Sequence, residues 1–223
     1  TAPAFAKEWD IEKGDITVKA GEAEGPNKVK QGDSDFVKDE GDTIITGTSD
    51  KNTVTIEANG ENDKVEVTLK DVNIDASSRN KAAVSVTGEG DTNIELDGSN
   101  KLQSGRDHAG LEHNKTDTSG KLTIQDKDNN GSLEAAGGFK GAGIGSAGSH
   151  DAQVKITGGN ITATSDDWGA GIGSGSYGTG TVEITGGEIN ATGGYLGAGI
   201  GGGCNGSGNV TISGGTITAA GGD

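Results

Sequence analysis

Apolar positions in the second half of the chain recur at a fixed 28-residue period. Blocks 132–159, 160–187 and 188–215 align without gaps, and a fourth begins at Thr216. Each block holds three short alternating segments, as in Ile189-Asn190-Ala191, Ala198-Gly199-Ile200 and Val210-Thr211-Ile212. Alternation of period two predicts strands. The Gly-, Asn- and Asp-rich stretches between them predict turns. The fold class that follows is all-β: a right-handed parallel β-helix, or solenoid, of about 28 residues and three short strands per rung. Rungs stacked at the strand spacing of about 4.8 Å bring apolar residues into inward columns. The predicted columns are Ile161–Ile189–Ile217, Ile144–Ile172–Ile200 and Ile156–Ile184–Ile212.

The period continues upstream in weaker form. Ile56 to Val84, Ile74 to Leu102, Ile94 to Leu122 and Leu96 to Ile124 each span that same period. Leu102 to Leu133 is longer, which places a three-residue insertion in the segment 126–131. The solenoid is assigned to 41–223, six to seven turns. Residues 1–40 do not share the period and are read as an N-terminal cap carrying Phe5, Trp9 and Phe36, with Ile16-Thr17-Val18 as an early strand. The chain starts at Thr1 and stops eight residues into a rung, so it is expected to be a piece of a longer protein.

Composition narrows the classes. Glycine supplies 43 of 223 residues and hydrophobic residues only 29%. A repeated small core accounts for folding on so little apolar material. Lys and Arg total 18 against 34 Asp and Glu, a net charge of −16. That balance argues against nucleic acid and anionic membrane surfaces as partners. No apolar run reaches membrane-spanning length. The single cysteine, Cys204, cannot form an internal bridge.

The order of motifs resembles a known family. VTLKDVNIDASSRNKAAVSV, NIELDGSNKL, AGLEHN and GKLTIQDKDNNGSLEAAGG precede the GAGIG and VxITGG rungs, and WDIEKGDITV stands near the start. This run, over about 54–223, resembles the β-solenoid carbohydrate-binding domain-containing surface proteins of Gram-positive, clostridial and gut-dwelling bacteria. The resemblance implies a secreted or wall-attached extracellular protein with a pectate-lyase-like solenoid. Some members bind polysaccharide and calcium.

Several residues could carry function. Parity that points the Ala and Ile of each AGI segment inward sends the glycines outward, including Gly143, Gly171 and Gly199. A strand without side chains marks close approach of a ligand or another backbone. Phe139, Trp168 and Tyr195 border that segment on one side and Tyr177 on the other. Such rings suit stacking on sugars, with Asp166, Asp167 and Asn205 as hydrogen-bonding neighbours. Asp126, Asp128 and Asn130 resemble half of a calcium loop, although position twelve is Gly137 where a closing glutamate belongs. Arg106, Asp107, His108, Glu112 and His113 form a mixed acid–base cluster, read mainly as a polar turn. The expected function is non-catalytic adhesion to a polysaccharide or host glycan. A polysaccharide lyase and a rigid stalk are the alternatives.

Overall fold

The computed structural model describes residues 7–117 and 120–223; Phe5 lies outside them. The chain is a parallel β-solenoid of about six turns with almost no helix. Each regular rung has three walls. Wall one contains Ala152–Ile156, Thr179–Ile184 and Ser207–Ile212. Wall two contains Asn160–Ser165, Glu188–Thr192 and Thr216–Ala220. Wall three is short, with Ile144–Gly145, Ile172–Gly173 and Ile200–Gly201. The ITGG and ISGG segments turn wall one into wall two. There Gly159, Gly187 and Gly215 adopt φ of 102°, 102° and 91°, a region open to glycine because it lacks a Cβ.

The three isoleucine columns pair as the period requires. Ile161 lies against Ile189 and Ile189 against Ile217. Ile144, Ile172 and Ile200 follow one another across wall three. Ile156, Ile184 and Ile212 do so across wall one. The inner members Ile144, Ile156, Ile161, Ile172 and Ile184 are fully buried. Each contributes roughly 1.5–3 kcal/mol by leaving water.

Upstream the rungs are less even. Lys64–Asp75 and Asp91–Gln103 are long strands that pass through both wall one and wall two. Beyond them the ladder divides: Asp91–Gln103 pairs with Leu122–Gln125 on one wall and Gly131–Gly137 on the other. Ile74 lies against Leu102, as the repeat period requires. The other four expected neighbours are displaced by two positions. Ile56 meets Val86 rather than Val84. Ile94 meets Ile124 rather than Leu122, so Ile124 does not oppose Leu96 either. Leu102 meets Ala135 rather than Leu133, so the insertion there is longer than the sequence spacing implies. A slip of two leaves each side chain on its original face, so the apolar pattern is satisfied by either register.

Parallel pairing reaches into the stretch assigned to the cap. Glu8–Asp10 pairs with Thr43–Ser49, and Ile16–Lys19 with Val54–Glu57. Lys28–Gln31 then adds antiparallel to Ile16–Lys19, and Val37–Lys38 antiparallel to Lys28–Gln31. These strands cover the edge of wall three, which would otherwise expose unpaired backbone groups. Trp9 Nε1 donates to the buried Asp39 carboxylate at 3.0 Å, fastening the far end of this segment. Among the described residues, no helix is long and apolar enough to cross a membrane.

Candidate functional site

The glycine run is not a surface platform. Gly143, Gly171 and Gly199 are buried. Alternating parity holds only for an extended strand, and GAGIG is extended over two residues. The rest curls back: Ala142 N–H donates to the Ser146 carbonyl at 3.0 Å, and Ala170 to Ser174 and Ala198 to Gly202 likewise at 3.0 Å. The glycines therefore face the inside of the rung. A Cβ on Gly143 would lie 2.6 Å from Thr164 N, and one on Gly171 2.7 Å from Thr192 N. The backbone that approaches so closely is the protein's own: wall two, and the glycine carbonyl of the next wall-three rung, Gly171 O and Gly199 O, each at 2.6 Å.

The turns that leave wall two do form a site. Each follows a wall-two strand at the same offset, so successive turns stack into a rim along the solenoid. Arg106, Phe139 and Asp166 lie on three adjacent rungs of that rim. The wall-two strands supply a floor from the outward column Gln103–Ala136–Thr164, whose members are ladder neighbours. Rim and floor enclose an open groove of about 610 Å³, also lined by Ser77, Ser104 and Ser165. Ala136 keeps the middle of the floor low.

Phe139 lines this groove and packs against Trp168, which lies outside the lining. Their ring centroids are 5.0 Å apart at an interplanar angle of 44°, within the range that favours aromatic pairs. The Arg106 guanidinium stands 4.4 Å from the Phe139 centroid. Lys140 Nζ lies 5.3 Å from the Phe139 ring and 5.6 Å from that of Trp168. Trp168 holds φ of 64° and Lys140 φ of 70°. Such a conformation is unfavourable for bulky side chains, and here it projects both from the turn.

The other residues anticipated for sugar contact separate. Tyr195 and Tyr177 are 56% and 58% exposed, and neither makes a ring contact with the Phe139–Trp168 pair among the described residues. Tyr177 and Asn205 belong to the opposite corner, after wall three, where Tyr177 N–H donates to the Cys204 carbonyl. Asp166 lines the groove. Asp167 turns inward, its carbonyl accepting from Lys140 N–H, and its Oδ1 is buried without a hydrogen-bond partner.

The acid–base cluster is a clamp within the scaffold. His108 Nδ1 lies 3.0 Å from Glu112 Oε1, which also accepts from Ala109 N–H at 3.1 Å. Glu112 is 5% exposed. Its hydrogen bond holds the His108 imidazole above the ordinary histidine range, against the opposing effect of burial. His113 is buried, with both ring nitrogens within hydrogen-bond distance of carbonyls, those of Val86 and Gly120. Arg106 Nε and Asp107 Oδ2 stand 3.9 Å apart on exposed side chains.

The DKDNNG segment closes as a turn held by Asp126. Asp126 spends one carboxylate oxygen on Asn130 N–H and the other on Gly131 N–H. Asn130 Nδ2 donates to Asp97 at 3.0 Å, and Asp128 is exposed. Among the described residues no group of three or more His, Cys, Asp or Glu is placed to hold a metal ion. The carboxylate of Asp126 and the amide of Asn130 are thus engaged in hydrogen bonds, apart from the exposed Asp128.

Comparison with known proteins bears on the fold. A family model described as a beta helix repeat matches residues 154–176, 182–204 and 210–223. The C-terminal rungs are similar to beta-helix repeats. Proteins with this repeat include pectate lyases and non-enzymes alike. No curated protein and no solved structure matches the chain. Glycines and isoleucines carried the repeat in the sequence. Gln103, Ser77, Thr164 and Ser165 had no such signal, because only stacking in register brings them to one groove.

Proposed function

We propose that this solenoid is a non-catalytic glycan-binding module of a secreted or wall-attached bacterial surface protein, serving in adhesion. The reading rests on one observation: Phe139, backed by the Trp168 ring, lines an open polar groove. Sugar rings present C–H faces that pack on aromatic side chains. Gln103 and Thr164 in the floor and Asp166 at the rim supply donors and acceptors, while the Ser77 and Ser165 hydroxyls donate to Asp75 and to the Gly141 carbonyl. His108 and Glu112 of the acid–base cluster are committed to internal hydrogen bonds and do not line the groove, which favours binding over bond cleavage. The chain's net charge of −16 suits a neutral partner or one that meets the local cations Arg106 and Lys140.

The test is a glycan array probed with the parent chain and with Phe139→Ala/Trp168→Ala. Both rings are half-buried rather than core, so the double variant is expected to fold, as circular dichroism and melting will show. Retention of at least one glycan by the parent and its loss in the variant is the expected result. Equal retention by both would place the site elsewhere, and no retention by the parent would remove the glycan reading.

A further inference from the structure

Wall three carries a pocket of its own. Upstream this wall continues through Leu111–His113, Val84–Thr87 and Val54–Glu57. Val54, Ile56, Val84, Val86 and Leu111 are buried in the core, so the residues that alternate with them face outward. Thr55 is the ladder neighbour of Ser85, and Ser85 of Glu112. One rung further the column meets Gly145, and the row of side chains stops. The turns that enter wall three stand beside the column. The Lys81 carbonyl accepts from Gly105 N–H at 2.8 Å, which stacks the turn of Asn80 and Lys81 on the next turn, that of His108. Column and turns enclose about 220 Å³, lined by Thr55, Ser85, Glu112, Asn80, Lys81 and His108, among others. No lining residue is shared with the groove that holds Phe139.

The hydrogen-bonding capacity left in this pocket is one-sided. The carboxylate in its lining, Glu112, is already engaged. Oε1 accepts from Ala109 N–H at 3.1 Å, and both oxygens lie within 3.2 Å of His108 Nδ1. By contrast, the side chains of Thr55, Ser85, Asn80 and Lys81 have no hydrogen bond or ion pair among the described residues. An ammonium, an amide and two hydroxyls, held by adjacent rungs, thus border one cavity with their donors unspent. The bond to Glu112, opposed by burial, holds His108 above the ordinary histidine range, so the ring offsets the Glu112 charge. A chain of net charge −16 repels anions as a whole, and only a local arrangement of this kind can attract one. We infer that the wall-three pocket binds a compact oxyanion, with the chemistry shared by phosphate and sulfate. Lys81 supplies the charge-assisted contact, roughly twice as strong as a neutral one. Ser85, Thr55 and the Asn80 amide donate to the remaining oxygens. The cavity is smaller than the roughly 300–1,000 Å³ of clefts for drug-sized ligands, which suits a single small ion. This inference does not depend on the glycan reading.

The experiment is an amide NMR titration of the intact chain with inorganic phosphate, with sodium sulfate and, at matched ionic strength, with sodium chloride. Saturable shifts confined to 53–55, 80–85 and 108–112 are expected with phosphate and sulfate and not with chloride. Lys81→Gln is expected to weaken phosphate binding about tenfold or more, and Ser85→Ala about threefold. Neither side chain belongs to the core, so both variants are expected to fold, which circular dichroism checks. Lys64→Gln removes one positive charge from an exposed position in another wall and is expected to leave phosphate binding unchanged. Shifts that grow linearly with salt, or that chloride reproduces, would overturn the inference. So would parental affinity in both Lys81→Gln and Ser85→Ala. An equal loss in Lys64→Gln and Lys81→Gln would also overturn it, because net charge rather than a site would then govern the response.

Discussion

The three C-terminal rungs and the rungs before them solve the same packing problem differently. Downstream of Ser132 every rung keeps one register, and wall three is pressed so closely on wall two that a Cβ has no space at Gly143 or Gly171. Upstream, register steps vary, and Leu102 lies against Ala135 where the spacing of apolar residues points to Leu133. The position corresponding to Gly143 holds Gly110 one rung back and Ala83 before that. Ala83 carries a Cβ and remains fully buried. There the gap is bridged by Ser104 Oγ, which accepts from Ala83 N–H at 2.9 Å and donates to the Gly110 carbonyl at 3.2 Å. Regularity and glycine go together: with no side chains between the walls, only backbone fit sets the spacing. Where side chains intervene, rung length is free to change.

The contrast can be broken most severely in the core. Ile172→Asp is expected to unfold the downstream rungs, because an unpaired buried carboxylate has no compensating partner. Loss of the cooperative melt by circular dichroism checks this; a variant that melts like the parent would contradict the buried column. Gly143→Val comes next. Its side chain must displace the Thr164 backbone, and a loss of about 3 kcal/mol or more is expected in denaturant unfolding, at the upper end of overpacking costs. The matched upstream change, Ala83→Gly, is expected to cost only about 1 kcal/mol. Equal costs at the two sites would erase the distinction between the regions.

Smaller effects sharpen it. Asp126→Ala frees two N–H groups of the turn that splits the ladder, and about 1–2 kcal/mol is expected, with exchange rising at 126–131. The His108–Glu112 clamp should act on the upstream region alone. Its histidine has a folded-state pKa raised above the unfolded value. The added stability is therefore full below the unfolded pKa, near 6.5, and is lost as pH rises through the higher folded value. Hydrogen exchange at 104–113 is expected to accelerate from pH 6 towards pH 9, relative to the intrinsic rate, while 160–200 shows no matching change. His108→Asn should remove the difference. A pH response shared by both regions would assign it to something other than this pair.

Much of this architecture is legible in the sequence because isoleucine spacing and inward parity are the same constraint viewed twice. The Ile161–Ile189–Ile217 column is found by either route. Parity alone could not distinguish Leu122 from Ile124 as the neighbour of Ile94, since both face inward. It also misled at GAGIG, where a curled backbone no longer alternates, so glycines expected at the surface proved to be interior. The site was half legible. Phe139 and Trp168 stand out in a chain with 3% aromatics. Gln103, Ser77 and Thr164 are ordinary polar residues whose grouping exists only after rungs stack.

The most direct test of where this molecule binds is hydrogen–deuterium exchange on the intact chain, with and without a glycan retained on the array. Added protection is expected at the turns 77, 104–106, 138–139 and 165–166, following the rim of the wall-two groove. Protection confined to 141–145, 169–173 and 197–201, with the rim unchanged, would contradict the account and return the site to the glycine segments.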